Sequence, residues 1–376
     1  MVKKPLKVLL SGGGTGGHIY PALALADRLK EINDNVEFLY IGTERGLESK
    51  VVRDAHIPFE PIKVEGFVRK LNKDGIIYNT KSIFYFLNSL RKARKIIKEF
   101  QPDIVIGTGG YVCAPVLYQA AKLHIPTIIH EQNSVAGITN KFLARYVDKI
   151  AICFEEATEE FSKHDSKVVY TGNPRAQEVA SIEADNALSD LGLDSNKPTV
   201  IMFGGSRGAY ELNQAFIKSY QNLSNRPYQI LFVPGSANYS SVIEQIDKVY
   251  GNHEVYNIFI EPYIDRMPQV FKEIDLVVSR SGATTLAELT ALGLPSILIP
   301  SPNVTEDHQT KNAMSLVNHD AAIMIKESDL NEELLVENID KLMLDESSRI
   351  QMANEAKKLG KPFASDDIIK LMLSLL

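Results

Sequence analysis

The sequence predicts an α/β chain of two consecutive doubly wound domains, each a parallel sheet covered by helices on both faces. Three observations carry this. Short apolar runs of strand length alternate with helix-period segments along most of the 376 residues, the rhythm of βαβ units. The rhythm runs from residue 7 to about residue 171 and restarts at residue 199. Each run opens with a strand that leads directly into a glycine loop. The first loop is Ser11-Gly-Gly-Gly-Thr-Gly-Gly-His18 after Val8-Leu9-Leu10, and the second is Gly204-Gly-Ser-Arg-Gly-Ala209 after the apolar run 199–203. Ligands of such sheets bind outside the carboxyl ends of the strands, so two such domains imply a cleft between them.

In the first run, strands are expected at 7–10, 37–41, 104–107, 127–130, 149–153 and 168–171. Helical periods cover 22–32, 91–100, 113–123 and 139–146. In the second run, strands are expected at 199–203, 228–233, 255–260, 276–279, 296–299 and 322–325, with helices through 213–220 and 284–288. The break falls at 172–175 or in the polar stretch 183–198. We therefore place the domains at 1–172 and 173–359. Residues 366–376 carry a helical apolar pattern, and the terminal helix, about 360–376, is expected to pack back on the first domain.

A hydrophobic fraction of 44% with 23% charged residues is ordinary for a globular protein with ample core. No apolar run reaches bilayer length, and no secretory h-region precedes the first strand. The two cysteines, Cys113 and Cys153, lie in apolar segments. They read as small buried hydrophobes in a reducing compartment and form no metal pattern. Net charge is −6, with +5 in the first 174 residues and −11 in the rest. The acidic half argues against nucleic-acid binding.

The first glycine loop lets backbone N–H groups approach an anion, and the helix that follows adds its dipole. It is not a Walker A loop, because no Gly-Lys-Ser/Thr closes it, and a histidine stands at its end. Small and polar residues recur at other strand ends: Gly107-Thr-Gly-Gly-Tyr111, His130-Glu-Gln-Asn133, Gly172-Asn-Pro-Arg175, Gly204-Gly-Ser206, Ser279-Arg-Ser-Gly-Ala283 and Asp307-His-Gln309. Six such loops at one end of two sheets point to a site, because an α/β scaffold displays function there.

These residues together resemble the MurG family of glycosyltransferases, which add N-acetylglucosamine (GlcNAc) to lipid I. The resemblance rests on GGGTGGHIYPALALA (12–26), GTGGYV (107–112), HEQN (130–133), TNK (139–141), GNPR (172–175), GGSRGA (204–209), SRSGATTLAELTALGLP (279–295) and HQTKNA (308–313), in family order. It implies the GT-B architecture: two Rossmann-like domains facing across a cleft, the acceptor held by the first and the donor, UDP-GlcNAc, mostly by the second. It implies that 279–288 is the donor-nucleotide loop and helix, with Ala283, Thr284, Thr285, Leu286 and Ala287 at its amino end. By the same resemblance Glu288 accepts from the ribose hydroxyls, and Ile264 contacts uracil through its backbone. Arg175 and Ser206 reach the diphosphate, Gln309 meets the GlcNAc hydroxyls, and Thr15, Gly16, Gly17 and Asn133 complete the sugar and acceptor side.

The reaction needs an acceptor hydroxyl deprotonated as it attacks the anomeric carbon while UDP leaves. Charge on the diphosphate is met by amides and Arg175. His18 is the leading candidate base, since imidazole titrates near neutrality; the alternative is that it only positions the sugar or a phosphate. His130 and Glu131 form a second pair, Glu131 orienting or acting directly. One displacement predicts inversion, from an α donor to a β product. No Asp-x-Asp pair is placed to hold a metal diphosphate, so no obligatory metal is expected, and Mg2+ remains a possible stimulant of the leaving diphosphate. Two positions depart from the family pattern: Arg207 stands where the family usually has glutamine, and His308 replaces the first of two adjacent glutamines.

Between residues 67 and 98, Arg69, Lys70, Lys73, Lys81, Arg91, Lys92, Arg94, Lys95 and Lys98 face one acid, Asp74. Ile76, Ile77, Tyr78, Ile83, Phe84, Tyr85, Phe86 and Leu87 lie among them. Basic residues around an apolar stretch suit an anionic membrane surface; the alternative is a core helix with a solvated basic face. Since lipid I keeps its undecaprenyl chain in the bilayer, the resemblance implies peripheral attachment on the cytoplasmic face. The competing functions are another lipid glycosyltransferase of this fold with a diacylglycerol acceptor, a UDP-sugar epimerase, and a non-catalytic nucleotide-sugar-binding scaffold.

Overall fold

The computed structural model describes residues 4–66, 72–205 and 208–376, with the backbone alone for residues 73–77. Thirteen strands form among the described residues: β1 (Leu6–Ser11), β2 (Val36–Thr43), β3 (Phe59–Ile62), β4 (Ile104–Gly107), β5 (Thr127–Glu131), β6 (Lys149–Ile152), β7 (Val168–Tyr170), β8 (Thr199–Phe203), β9 (Gln229–Val233), β10 (Ile258–Ile260), β11 (Leu276–Ser279), β12 (Ser296–Leu298) and β13 (Ile323–Met324). They form two sheets, ordered β3-β2-β1-β4-β5-β6-β7 and β10-β9-β8-β11-β12-β13. Every pairing in both is parallel. The order reverses beside β1 in one sheet and beside β8 in the other, which makes these the switch points where a doubly wound sheet opens a crevice. The chain divides into one unit of Met1–Arg175 with Phe363–Leu376 and another of Ala176–Pro362.

Side chains on a strand alternate between faces, and both sheets bury both faces. In the first, Val8, Leu10, Tyr40, Ile104 and Ile106 pack under the helix Gly16–Ile32. Leu9, Ile41, Val105, Ile129 and Ile150 pack under the helices Lys73–Phe100 and Cys113–Lys122. In the second, Val200, Met202, Ile230, Phe232 and Val278 face one layer of helices, while Ile201, Phe203, Leu231 and Val277 face the other. Truncating one of these buried aliphatics to alanine costs about 2–5 kcal/mol. The terminal helix Ala364–Leu373 adds Ile368, Ile369 and Met372 to the core beneath Gly16–Ile32. Arg28 on that helix clasps Asp366 through Nε and Nη2, at 2.7 and 3.2 Å.

Three of the differences between the observed elements and the sequence's periods lie in the first unit. The first helix starts at Gly16, so Gly17, His18 and Pro21 lie inside it rather than before it. Pro21 is tolerated because it deletes one hydrogen bond close to the amino end. Helix Lys73–Phe100 is far longer than 91–100, because exposed Ile83, Phe84 and Leu87 mask its core-facing period. Strand β3 carries Pro61, which an edge position accepts.

Candidate active site

Register sets the carboxyl edge of the first sheet. Ser11 stands beside Ile41 and Gly107, Gly107 beside Ile129, and Glu131 beside Ile152. The loops 12–15, 108–112, 132–137 and 171–173 therefore leave one edge. Thr15 caps the first helix in an extended conformation without a side-chain hydrogen bond. The amides of Gly16 and Gly17 thus stay available at the edge, as an anion site requires. Tyr40 OH donates to the Gly12 carbonyl at 3.0 Å, and Gly13 N–H donates to the Gly109 carbonyl at 3.2 Å.

A carboxylate to which the sequence analysis gave no role holds this loop. Glu48 is wholly buried. It accepts from Gly14 N–H at 3.2 Å, Thr43 N–H at 2.9 Å and the Thr43 hydroxyl. A Cβ at Gly13 or Gly46 would run into its carboxylate, so glycine at those positions makes room for the latch. Nothing in the spacing of Glu48 from residue 14 marks it; only the β1–β2 pairing brings them together.

His18 is half-buried on the first helical turn. Its Nδ1 lies 3.1 Å from Gln132 Oε1, and its carbonyl accepts from Thr108 Oγ1 at 2.6 Å. Gly109, with φ +110, passes so close to the ring that a Cβ would overlap it. Gln132 Nε2 donates to the Thr108 carbonyl at 2.7 Å and lies 2.8 Å from His130 Nδ1. His130 Nε2 donates to the Gly172 carbonyl at 3.0 Å. Burial pushes the His130 imidazole down to about 4, so it is neutral at physiological pH.

Glu131 is buried on the opposite side of β5. One carboxylate oxygen accepts from Asn133 N–H and Asn133 Nδ2, at 3.0 and 3.4 Å. The other accepts from Gly137 N–H and Asn140 Nδ2, at 2.9 and 2.8 Å. Four donors fill a carboxylate's acceptor sites, so Glu131 fastens the 132–140 loop and thereby places Asn133. The Arg175 guanidinium lies 6.0 Å from the centre of the Tyr20 ring, within the first unit.

In the second unit, Phe203 stands beside Val233 and Ser279, and Ser279 beside Leu298. The loops that follow these strands and β10 leave one edge. Ser206 and Arg207 lie outside the described residues. A Cβ at Gly204 would strike the backbone of Ala209, which closes the glycine turn tightly. The helix Ala283–Leu292 begins after Gly282 with no side-chain cap, so the amides around Ala283, Thr284 and Thr285 and the positive end of the dipole face the edge. Ala283, Leu286 and Glu288 are buried. Ile264 lies in the core, in contact with the cluster around Val270 and Phe271, which leaves its backbone to meet a ligand.

Gln309 is anchored by Ser301 N–H, which donates to its Oε1 at 2.8 Å, and its carbonyl accepts from Ser281 Oγ at 2.7 Å. These bonds tie the 299–309 loop to the start of the donor helix and aim the Gln309 amide NH2 away from Ser301. His308 Nδ1 donates to the Thr305 carbonyl at 2.8 Å, so this ring closes its own turn. Arg280 is turned into the Ile299 and Pro300 carbonyls and pairs with Glu327.

On helix Lys73–Phe100, Ile83, Phe84 and Leu87 are exposed and Phe86 is half-buried. Lys81, Arg91, Lys92, Arg94, Lys95 and Lys98 are exposed on the same helix. The side chains of Ile76 and Ile77 lie outside the described residues. Among the described residues no helix is long and apolar enough to cross a membrane, and no three His, Cys, Asp or Glu side chains group to hold a metal.

The glycosyltransferase family 28 N-terminal domain matches residues 8–152, and the C-terminal domain of the same family matches residues 199–369. A Bacillus cereus protein named UDP-N-acetylglucosamine–N-acetylmuramyl-(pentapeptide) pyrophosphoryl-undecaprenol N-acetylglucosamine transferase 1 is 52% identical over 370 residues, covering 98% of this chain and 99% of the relative. A Listeria monocytogenes protein named as the same transferase is 50% identical over 372 residues, covering 99% of this chain and all of the relative. The crystal structure of Acinetobacter baumannii MurG superposes with a TM-score of 0.78 at 26% identity, covering 98% of this chain and 100% of that one.

Proposed function

The chain belongs to the glycosyltransferase family 28 N-acetylglucosaminyltransferases, and from that premise we propose that it moves GlcNAc from UDP-GlcNAc to lipid I, forming lipid II with inversion at the anomeric carbon. The observation that carries the reading is the uncapped start of helix Ala283–Leu292 at the carboxyl end of β11, with Glu288 in its second turn and Gln309 tied to its entry loop. That arrangement suits a nucleoside diphosphate sugar. Helix amides meet the diphosphate, the Glu288 carboxylate offers two acceptors to a ribose diol, and the Gln309 amide meets the sugar.

In the first unit the acceptor takes the edge formed by Thr15, Gly16, Gly17, Asn133 and Tyr111. His18 takes the proton of the attacking hydroxyl as its oxygen bonds to the anomeric carbon and the bond to the β-phosphate breaks. His18 is preferred to Glu131 as base because the Glu131 oxygens are already engaged by four donors. In the second unit the helix amides stabilise charge on the departing diphosphate, and the family resemblance gives Arg175 and Ser206 the same role. No protein-bound metal is required, and Mg2+ stimulates only as a counter-ion of the diphosphate. The apolar and basic face of helix Lys73–Phe100 docks the enzyme on the cytoplasmic leaflet, where anionic lipid attracts its cations.

The test is transfer of labelled GlcNAc from UDP-GlcNAc to a short-chain lipid I analogue, with diacylglycerol and no-acceptor controls. Transfer to the analogue alone is expected. Transfer only to diacylglycerol would overturn the acceptor, and tight UDP-GlcNAc binding without transfer would overturn catalysis.

A further inference from the structure

We propose that Gln132, oriented by His130, holds His18 in its Nδ1–H tautomer and so presents Nε2 as the proton acceptor. This deepens the reading of His18 as base and rests on it for its catalytic meaning.

The direction of the chain of hydrogen bonds follows from the two main-chain carbonyls that flank it. Carbonyl oxygens only accept. The Gln132 amide end that lies 2.7 Å from the Thr108 carbonyl must therefore be its NH2. That places Oε1 toward His18, 3.1 Å from Nδ1, and Oε1 accepts, so Nδ1 must carry the proton. At the other end, His130 Nε2 faces the Gly172 carbonyl at 3.0 Å and must donate. A neutral His130 then has an acceptor at Nδ1, which receives the second Gln132 N–H at 2.8 Å. Reversing the Gln132 amide would set its oxygen against both the Thr108 carbonyl and His130 Nδ1. That arrangement loses two buried hydrogen bonds and creates two repulsive contacts.

His130 and Gln132 are both about 98–99% buried, so water offers no substitute for either partner, and a buried network that is fully satisfied is rigid. Histidine in water prefers the opposite tautomer, with the proton on Nε2, so the protein must impose this one. With Nδ1–H engaged, Nε2 is left as the lone-pair nitrogen of a ring whose backbone is fixed by Thr108 and whose one face is closed by Gly109. Gln132 is a positioning residue: it acts through His18.

The test is the 15N spectrum of the neutral His18 ring in the intact enzyme. A pyrrole-type Nδ1 and a pyridine-type Nε2 are expected; the reverse assignment in the wild-type enzyme would overturn the proposal without any variant. In Gln132→Met, which can neither accept nor donate, His18 should move to the Nε2–H form. kcat should then fall about 10–100-fold with the donor KM unchanged. Gln132→Glu keeps an acceptor for Nδ1–H and, with its second oxygen protonated against the Thr108 carbonyl, should keep the wild-type tautomer. An unchanged His18 tautomer in Gln132→Met would overturn the proposal. Full turnover in a His18→Ala variant would instead sink the base reading, while leaving the tautomer result standing.

Discussion

Glu48 touches no predicted ligand, yet the geometry of the first glycine loop depends on it. In Glu48→Ala, Gly14 N–H, Thr43 N–H and the Thr43 hydroxyl all lose their acceptor. Gly14 is exposed and regains water, whereas Thr43 is only half-exposed. Stranding a buried donor costs about 1–3 kcal/mol, so the Thr43 pair and the emptied side-chain volume together amount to about 3–5 kcal/mol. Glu48→Gln is gentler. Its oxygen can still serve Thr43, but its NH2 then faces the Gly14 N–H, at a cost of about 1–2 kcal/mol. Because the loop leads straight into the helix that carries His18, a displacement of about 1 Å should lower kcat by about 10²-fold. Urea denaturation followed in the first unit, with GlcNAc transfer measured on the same samples, checks both numbers. If Glu48→Ala melts within 1 kcal/mol of wild type, by the scale of single-site effects, and keeps its kcat, the latch is not what holds the loop.

Glu288→Ala should raise the donor KM by about 10–100-fold, the loss of a charge-assisted pair of hydrogen bonds, with UDP affinity by calorimetry falling in parallel; an unchanged KM would mean the donor helix is misassigned. Charge reversal at Lys92, Arg94 and Lys95 should weaken binding to anionic vesicles by about 1 kcal/mol or more per residue, while leaving transfer to a soluble acceptor intact. Gly109→Ala should cost about 1–3 kcal/mol from the left-handed φ alone and should also push the His18 ring aside, so its loss of kcat should exceed its loss of stability. The folded pKa of His130 is about 4 against about 6.5 unfolded. Between these values the unfolded chain binds a proton that the native chain does not. Stability therefore falls as pH drops from 6.5 to 4, by roughly 3 kcal/mol in all, and is flat above. His130→Gln should remove that slope from urea midpoints taken at pH 7 and pH 4.5.

The double α/β rhythm was legible because central parallel strands are buried on both faces and read as continuous apolar runs; β1, β4, β8 and β11 all do so. Edge elements carry no such signal. Strand β3 holds Glu60 and Pro61, and the exposed apolar residues of helix Lys73–Phe100 break its core-facing period. The glycine loops and the donor helix were legible for a local reason, since each is a strand, a turn and a helix start contiguous in the chain. Glu48 was not, because its partner Gly14 lies 34 residues away and only sheet pairing brings the two together. The same holds for Arg280, which looked like a member of the donor loop and is turned aside by Glu327, 47 residues on.

The run His130-Glu-Gln-Asn133 shows how strand parity can separate roles that composition cannot. Residues two apart on a strand share a face, adjacent ones do not, and Gln132, the first residue past β5, keeps to the side of His130. His130 and Gln132 therefore meet each other and reach toward His18, Thr108 and Gly172, while Glu131 turns to the other side and gathers Asn133, Gly137 and Asn140. Four adjacent polar residues that look like an acid–base cluster become two separate devices, one that fixes a tautomer and one that fixes a loop. Neither needs to exchange a proton, and both are buried where water would compete least. Of the three titratable side chains in and around these two devices, His18, His130 and Glu131, only His18 is not buried. A rigid buried support beneath a single accessible imidazole is what proton transfer in a fixed direction requires, because the base can then meet the acceptor hydroxyl without reorganising its own surroundings.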